Sequence, residues 1–523
     1  MKRKGMTFVG LFLLVAISLV MAANIPRDTL VVASNTEIFK SFDPAVCFEV
    51  EPSIYVKNIY ANLVTLKVIN GAFKPVGDLA EKWEQSPDGK LWTFYLRKGA
   101  RFANGDPVKA SDVEYSFKRA IKLNKSPAWL FTDTLGLTED SIKAVNDTTV
   151  TISTNGAPAN VVLSVLAANI GGVVSEKEVK AHETSGDMGM AWLTDHSAGA
   201  GPYVLKEWKR KTQIVLTENK NYYGDQPSIK TILMRDIPEA SDRYLLLKKG
   251  DVDVAWQITV EQAASLRDAK SGDVYLVSTP AQSLEYVAMN ASWGPFKDVR
   301  VRQAVKYAID YDAIINKVRE GFAIKNQQFL AIGYFGYKES NPFTHDVAKA
   351  KKLLAEAGYP NGFEVEIVTN ESEIRRAQAV VVQSNLADIG IKSNIVIMQA
   401  AQMYDKYRNQ GLQIIVAGWG IDYPDADALA KPFADYTVKQ LAWRNAWIDD
   451  KAAEMTAAAS KEINEQKRAQ IYYDLVKYWQ ENGPFAMLYQ PIEYWGIRQD
   501  VKGYDKAFEG YNVHCDFTMI HKE

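Results

Sequence analysis

Two short segments concentrate the residues best suited to grip a small charged ligand. Residues 370–376 bring Asn370, Arg375 and Arg376 together, and residues 418–427, GWGIDYPDAD, bring Trp419, Asp422, Tyr423 and Asp425. A guanidinium fork meets a carboxylate with two parallel hydrogen bonds. A carboxylate can receive a buried cation, which is costly to desolvate alone. Aromatic faces suit the walls of such a pocket. The signatures of bond-making chemistry are missing: the chain has no GxSxG elbow, no GxxxxGK phosphate loop and no GxGxxG opening a helix. Five histidines, His182, His196, His345, His514 and His521, are scattered without the spacing of metal ligands, so neither a metal site nor a cofactor is expected. A glycosidase-type carboxylate pair leaves no trace in one sequence, which keeps a secreted hydrolase open as a third reading.

The two segments owe their expected proximity to the elements that precede them. After residue 297 the pattern alternates helix and strand. A helix starts near Asp298 with Val301, Val305, Ala308 and Ile309 on one face, a second follows from Asp312, and Asp346 caps a third that Gly358 and Pro360 stop. Val365 and Ile367 alternate with Glu364 and Glu366 in a strand. A helix over residues 373–388, a strand over 395–398, a helix over 402–409 and a strand over 412–417 complete a run of β-α-β units. In open α/β sheets ligands bind beyond the carboxyl ends of the strands. That rule places residues 370–376 and the loop 418–427 on one rim. Residues 24–290 read instead as mostly strand with isolated helices. Strands are expected at 91–96, 143–154 and 213–217, a helix capped by Ser111 or Asp112 runs through Ala120, and Gly199–Gly201 forms a joint.

Composition bounds the rest. The 523 residues suggest about three domains or one large multilobed body. The 61 basic and 63 acidic residues leave no global basic field to attract nucleic acid. Lys2, Arg3 and Lys4 precede an apolar run from Met6 to Met21 that ends at Ala22 and Ala23, the order of a secretory signal cleaved after Ala22. The competing reading, an uncleaved anchor, needs an apolar span of about 20 residues, longer than this run. Cleavage removes those three cations and moves the net charge from −2 to −5. No cysteine follows the run, so a freely soluble periplasmic protein is expected. Only Cys47 and Cys515 exist, leaving open either one disulfide tying the chain ends together or two buried thiols.

Six blocks then carry a resemblance. Residues 79–120, LAEKWEQSPDGKLWTFYLRKGARFANGDPVKASDVEYSFKRA, are similar to the signature region of the family 5 extracellular solute-binding proteins, the dipeptide, oligopeptide and nickel group that feeds ABC transporters. AGAGPYVLKEW (198–208), ENKNYYG (218–224), FKDVRVRQAVKYAIDYDAI (296–314), AKKLLAEAGYPNGF (350–363) and GWGIDYPDAD (418–427) resemble that family in the same order.

The resemblance implies an α/β, two-lobed periplasmic-binding-protein clamshell of type II, in the three-domain oligopeptide-binding subclass. Residues 1–22 would be the signal peptide. Residues 23–66, 197–284 and 490–523 would form a discontinuous first lobe, 67–196 its subdomain and 285–489 the second lobe. It implies a monomer that captures short peptides and delivers them to a permease and its ATPase, with no chemistry of its own. In that family a carboxylate in the tryptophan-containing loop holds the peptide's free amine. The matching residue is Asp422, with Trp419 and Tyr423 as walls; its alternative role is a turn before Pro424. Arg375 matches a position near the ligand carboxylate, with Asn370 beside it. Asn290 and Trp293 would line the hinge side of the cleft, and Asp425 and Asp427 read as turn and cap residues. The same fold could carry another solute, such as a chelated metal, an oligosaccharide or an opine.

Overall fold

Alternating burial along Leu91–Leu96 shows how the N-terminal part is assembled: Trp92, Phe94 and Leu96 point inward while their neighbours stay at least partly exposed. In the computed structural model, which describes residues 25–269, 271–510 and 514–523, this strand is central to a four-stranded antiparallel sheet. Its partners are Ala80–Gln85 and Thr149–Ser153, and Ile142–Asn146 pairs with the latter. The expected signal peptide, residues 1–22, lies outside the described residues. Helix Ala110–Leu123 covers the sheet, starting just before the expected cap. Asp112 sits inside its first turn and accepts from the Lys109 N–H at 2.9 Å, so the carboxylate satisfies an otherwise orphaned donor from three residues in.

A second sheet of twelve strands runs through the rest of the molecule. One end is ordered Lys392–Ile397, Glu364–Thr369, Ile414–Gly420, Ser283–Met289; the other is Val254–Ala255, Thr29–Ser34, Thr231–Asp236, Gln213–Glu218, Tyr203–Lys209. The 14-residue strand Phe485–Arg498 joins them. Its first half pairs with Ser283–Met289 and its second with Val274–Pro280 and Val254–Ala255. The chain therefore passes between the halves at Ala281–Gln282 and again near Gln490, whose buried amide donates to Ala281 O and accepts from Ile332 N–H, at 2.9 and 2.8 Å.

The helix-strand alternation after residue 297 is present, with informative shifts. Asp298 and Asp346 cap their helices, accepting from the Arg300 and Lys349 N–H groups. The second helix starts at Tyr311, one residue before Asp312, and is capped by Asp310, which accepts from Ala313 N–H at 2.8 Å. Glu364–Thr369 is parallel to both neighbours, the partly parallel arrangement expected. The strand placed at 412–417 runs instead over Ile414–Gly420, because antiparallel pairing to Ser283–Met289 continues through Trp419 opposite Leu284 and Gly420 opposite Ser283. Trp419 thus belongs to a strand and not to the loop that follows.

Candidate functional site

Asp422 is the one predicted residue whose surroundings are those of an empty charge acceptor. It begins the turn after strand Ile414–Gly420, lines a cavity of about 210 Å³, and also lines a neighbouring one of about 270 Å³. Its carboxylate has no hydrogen-bond or ion-pair partner among the described residues, and burial pushes its pKa up to about 7. A carboxylate in such a place favours the neutral form until a cation arrives.

The walls of the first cavity come from widely separated parts of the chain. Phe48, Ser53 and Lys57 come from helix Val50–Ile59 and the loop before it, Ser164, Asn169 and Ile170 from helix Ala159–Ala167 and the turn after it, and Ile421 and Pro424 from the Asp422 turn. The loop before the first helix is pinned from beneath, since buried Arg119 donates to both oxygens of buried Asp43 at 2.9 and 2.5 Å. Asn169 Oδ1 is buried with no hydrogen-bond partner among the described residues. The second cavity is more polar, with Asp133, Asp427, Lys431 and Gln440 beside Trp129, and the buried Gln440 Oε1 has no hydrogen-bond partner among the described residues.

The turn that presents Asp422 is held by its neighbours. Asp425 is more than a turn residue: both of its oxygens accept from the Arg468 guanidinium, at 2.5 and 2.8 Å, in a pair that is almost wholly buried. Asp427 accepts from the Tyr423 hydroxyl at 3.0 Å and from Ser460, and pairs with Lys431 at 2.6 Å. Tyr423 is buried, its ring fixed by that bond, while the residue borders both cavities.

The other expected ligand residues do not gather around Asp422. Arg375 is engaged by Glu285 through two hydrogen bonds of 3.1 and 2.9 Å. The pair lies across Gly418, where a Cβ would meet the ends of both side chains, so the absence of a side chain there leaves the pair room to close over the backbone. Arg375 therefore enters neither cavity, and its fork is already used. Asn370 closes a local turn, accepting from Ser372 N–H at 3.3 Å. Asn290 does the same for Ser292 and donates to Gln410 O. Trp293 packs against Phe296 and Phe363 in a separate core. Trp419 packs edge-on against Phe433 with the Arg444 guanidinium 5.8 Å from its ring. Tyr286 is core, with Phe433 and Phe485 around it. The disulfide is not formed: Cys47 and Cys515 are free thiols, both buried and pushed upward in pKa by that burial. Each has its own contact, the Cys47 sulfur with Asn169 Nδ2 at 3.9 Å and the Cys515 carbonyl with Asn58 Nδ2 at 3.1 Å.

Lys57, Asn169 and Gln440 were not anticipated. Lys57 had a faint signal, as a cation among Tyr55, Val56, Ile59 and Tyr60, which are all buried. Among the described residues no cluster of metal ligands occurs, and no helix is long and apolar enough to cross a membrane.

Known proteins decide the family. The profile of the bacterial extracellular solute-binding proteins, family 5 middle region, matches residues 74–440. The chain belongs to this family. This solute-binding protein is 27% identical over 533 residues to the dipeptide-binding protein of Escherichia coli (strain K12), with 96% of each chain covered. It is also 27% identical over 502 residues to heme-binding protein A of Haemophilus influenzae (strain ATCC 51907 / DSM 11121 / KW20 / Rd), covering 90% of this chain and 89% of that one. A solved structure, the ABC transporter-associated periplasmic binding protein DppA from Helicobacter pylori in complex with peptide STSA, superposes with a TM-score of 0.77 at 25% identity, over 95% of this chain and 98% of that one. The fold is thus the two-lobed one of periplasmic binding proteins, and the solute-binding protein is not an enzyme.

Proposed function

We propose that this solute-binding protein captures short peptides in the periplasm, after cleavage of residues 1–22, and delivers them as a monomer to the permease and ATPase of an ABC importer. The lobes are taken as residues 23–66, 197–284 and 490–523 against residues 285–489, with residues 67–196 a subdomain of the first. The observation that carries the peptide reading is Asp422: an unpartnered carboxylate between the lobes, in a cavity whose other polar groups are few, is suited to a peptide's terminal ammonium. The names of the Escherichia coli relative and of the peptide complex agree with it. Closure of the lobes on the ligand would create the surface a permease prefers.

A thermal-shift screen of ligand-stripped protein against di- to pentapeptides tests the reading, since a ligand that binds only the native state raises its melting temperature. A shift with free-amine peptides that N-acetylation removes is expected. The heme-binding relative supports a second reading, a non-peptide solute in the same cleft. Shifts with heme, nickel chelates, oligosaccharides or opines and none with any peptide would select it.

A further inference from the structure

We propose that the second cavity, of about 270 Å³, is a specificity pocket for a positively charged side chain on the ligand's first residue, so that peptides beginning with arginine or lysine are the preferred solutes; this rests on the peptide reading of Asp422. Asp422 and Tyr423 form the wall common to the two cavities. An ammonium held by Asp422 therefore stands where both begin. The α-carbon attached to that ammonium has two further branches, the side chain and the continuing chain, and each cavity can take one.

The linings decide which branch goes where. The first is largely apolar, with Leu66, Leu130, Ile170 and Ile421, and it offers Asn169 Oδ1, an acceptor suited to a peptide N–H. The second gathers acceptors. Asp133 has no cation partner among the described residues; its recorded hydrogen bond is from the Thr132 hydroxyl, at 2.8 Å. Gln440 adds a buried Oε1 that no described residue satisfies. The cation there, Lys431, is committed to Asp427 at 2.6 Å, and Asp427 also accepts from Tyr423 and Ser460. Once a ligand ammonium neutralises Asp422, Asp133 is the charge left over, and acceptors without donors suit a donor-rich cation. Trp129, on the other side of the turn Leu130–Thr134 from Asp133, gives the same lining an aromatic face, which favours a guanidinium or an ammonium. A third cavity, of about 610 Å³, shares Asp133, Thr134, Asp427 and Lys431 with the second, so the passage continues beyond Asp133 and has room for a long side chain. As a solvated surface acid, the exposed Asp133 would instead attract every cationic peptide alike through its long-range field, wherever the charge stood in the peptide.

Calorimetric titration of the mature protein at physiological ionic strength separates these roles with four peptides: Arg-Ala-Ala, citrulline-Ala-Ala, Ala-Ala-Arg and Ala-Ala-citrulline. Citrulline keeps the shape of arginine and removes its charge. The wild type is expected to prefer arginine to citrulline at least tenfold at the first position and less than threefold at the third. Asp133→Asn is expected to bring the first-position ratio below about threefold, and Trp129→Leu, a second variant of the same wall, is expected to lower it as well. A first-position ratio near one in the wild type, a ratio that survives Asp133→Asn, or an equal preference at the third position overturns the pocket assignment while leaving the peptide reading intact. Failure of the wild type to bind any of the four overturns the peptide reading and the assignment together.

Discussion

At the scale of single residues, the ligand-binding role proposed for Asp422 would set both affinity and its pH dependence. In the empty protein its carboxyl is protonated below about 7, whereas an unfolded chain ionises it near 3.8. Between those values the folded state holds the extra proton, so this residue makes the unliganded protein less stable as pH rises from about 4 to 7, and Asp422→Asn should flatten that part of the stability profile in urea titrations. Binding has the opposite sense. An ammonium requires the ionised carboxylate, so below about 7 each bound ligand must displace a proton. Affinity for free-amine peptides should fall about tenfold per pH unit there and level off above it. Calorimetry in buffers of different ionisation enthalpy would register the released proton. Asp422→Ala should cost about 2–5 kcal/mol of binding free energy, because the ammonium is left buried without its partner. An affinity that is unchanged by this substitution, or independent of pH from 5 to 8, would remove Asp422 from the site.

At the scale of elements, the question is what keeps that carboxylate in place. The turn is tied to helix Glu465–Asn482 by the Asp425–Arg468 pair, which is desolvated on both sides. Removing one partner of such a pair leaves a buried charge uncompensated, so Arg468→Leu should destabilise the protein by about 3–5 kcal/mol, measured by urea unfolding, and the doubly apolar variant with Asp425→Leu should recover much of the loss. If the single variant is as stable as the wild type, the pair does not anchor the turn. This tie also shows where sequence reading ends. Helix Glu373–Asp388 and strand Glu364–Thr369 were legible to their end residues because their patterns are local. Asp425 was read as a turn residue since its partner stands 43 positions away, and Arg375 as a ligand group since Glu285 stands 90 positions earlier. Trp419 was assigned to a loop because strand length depends on the neighbour Ser283–Met289, which supplies hydrogen bonds to the end. Local pattern shows which groups need partners, and only the fold shows which are already taken.

At the scale of the whole molecule, the two halves of the large sheet are joined by two chain crossings, at Ala281–Gln282 and near Gln490, and opening or closing must be absorbed there. What opposes opening lies at the cleft's edge. The hairpin formed by Val64–Ile69 and Ala72–Gly77 places Phe73 edge-on against Tyr334, which belongs to the second lobe of the proposed division, ring centroids 5.5 Å apart at 86°, with Gly333 close to the Gly71 carbonyl. Tyr334 is in turn fixed by its hydroxyl, which donates to Gln282 at the first crossing. An edge-to-face aromatic pair contributes about 0.5–1.5 kcal/mol beyond its burial. Because Phe73 does not line the cavity around Asp422, Phe73→Ala removes a contact between the proposed lobes and leaves the lining of the proposed ligand site in place. The closed population should shrink, and the ligand dissociation rate should rise roughly three- to tenfold. The association rate should change little, because capture begins from the open arrangement. Small-angle scattering of the unliganded variant should show a larger radius of gyration than the wild type, with the two converging at saturating peptide. Unchanged dissociation together with unchanged scattering would mean that the hairpin and the Tyr334 segment move as one body, and that the closing contact must be sought among the charges in the cleft itself.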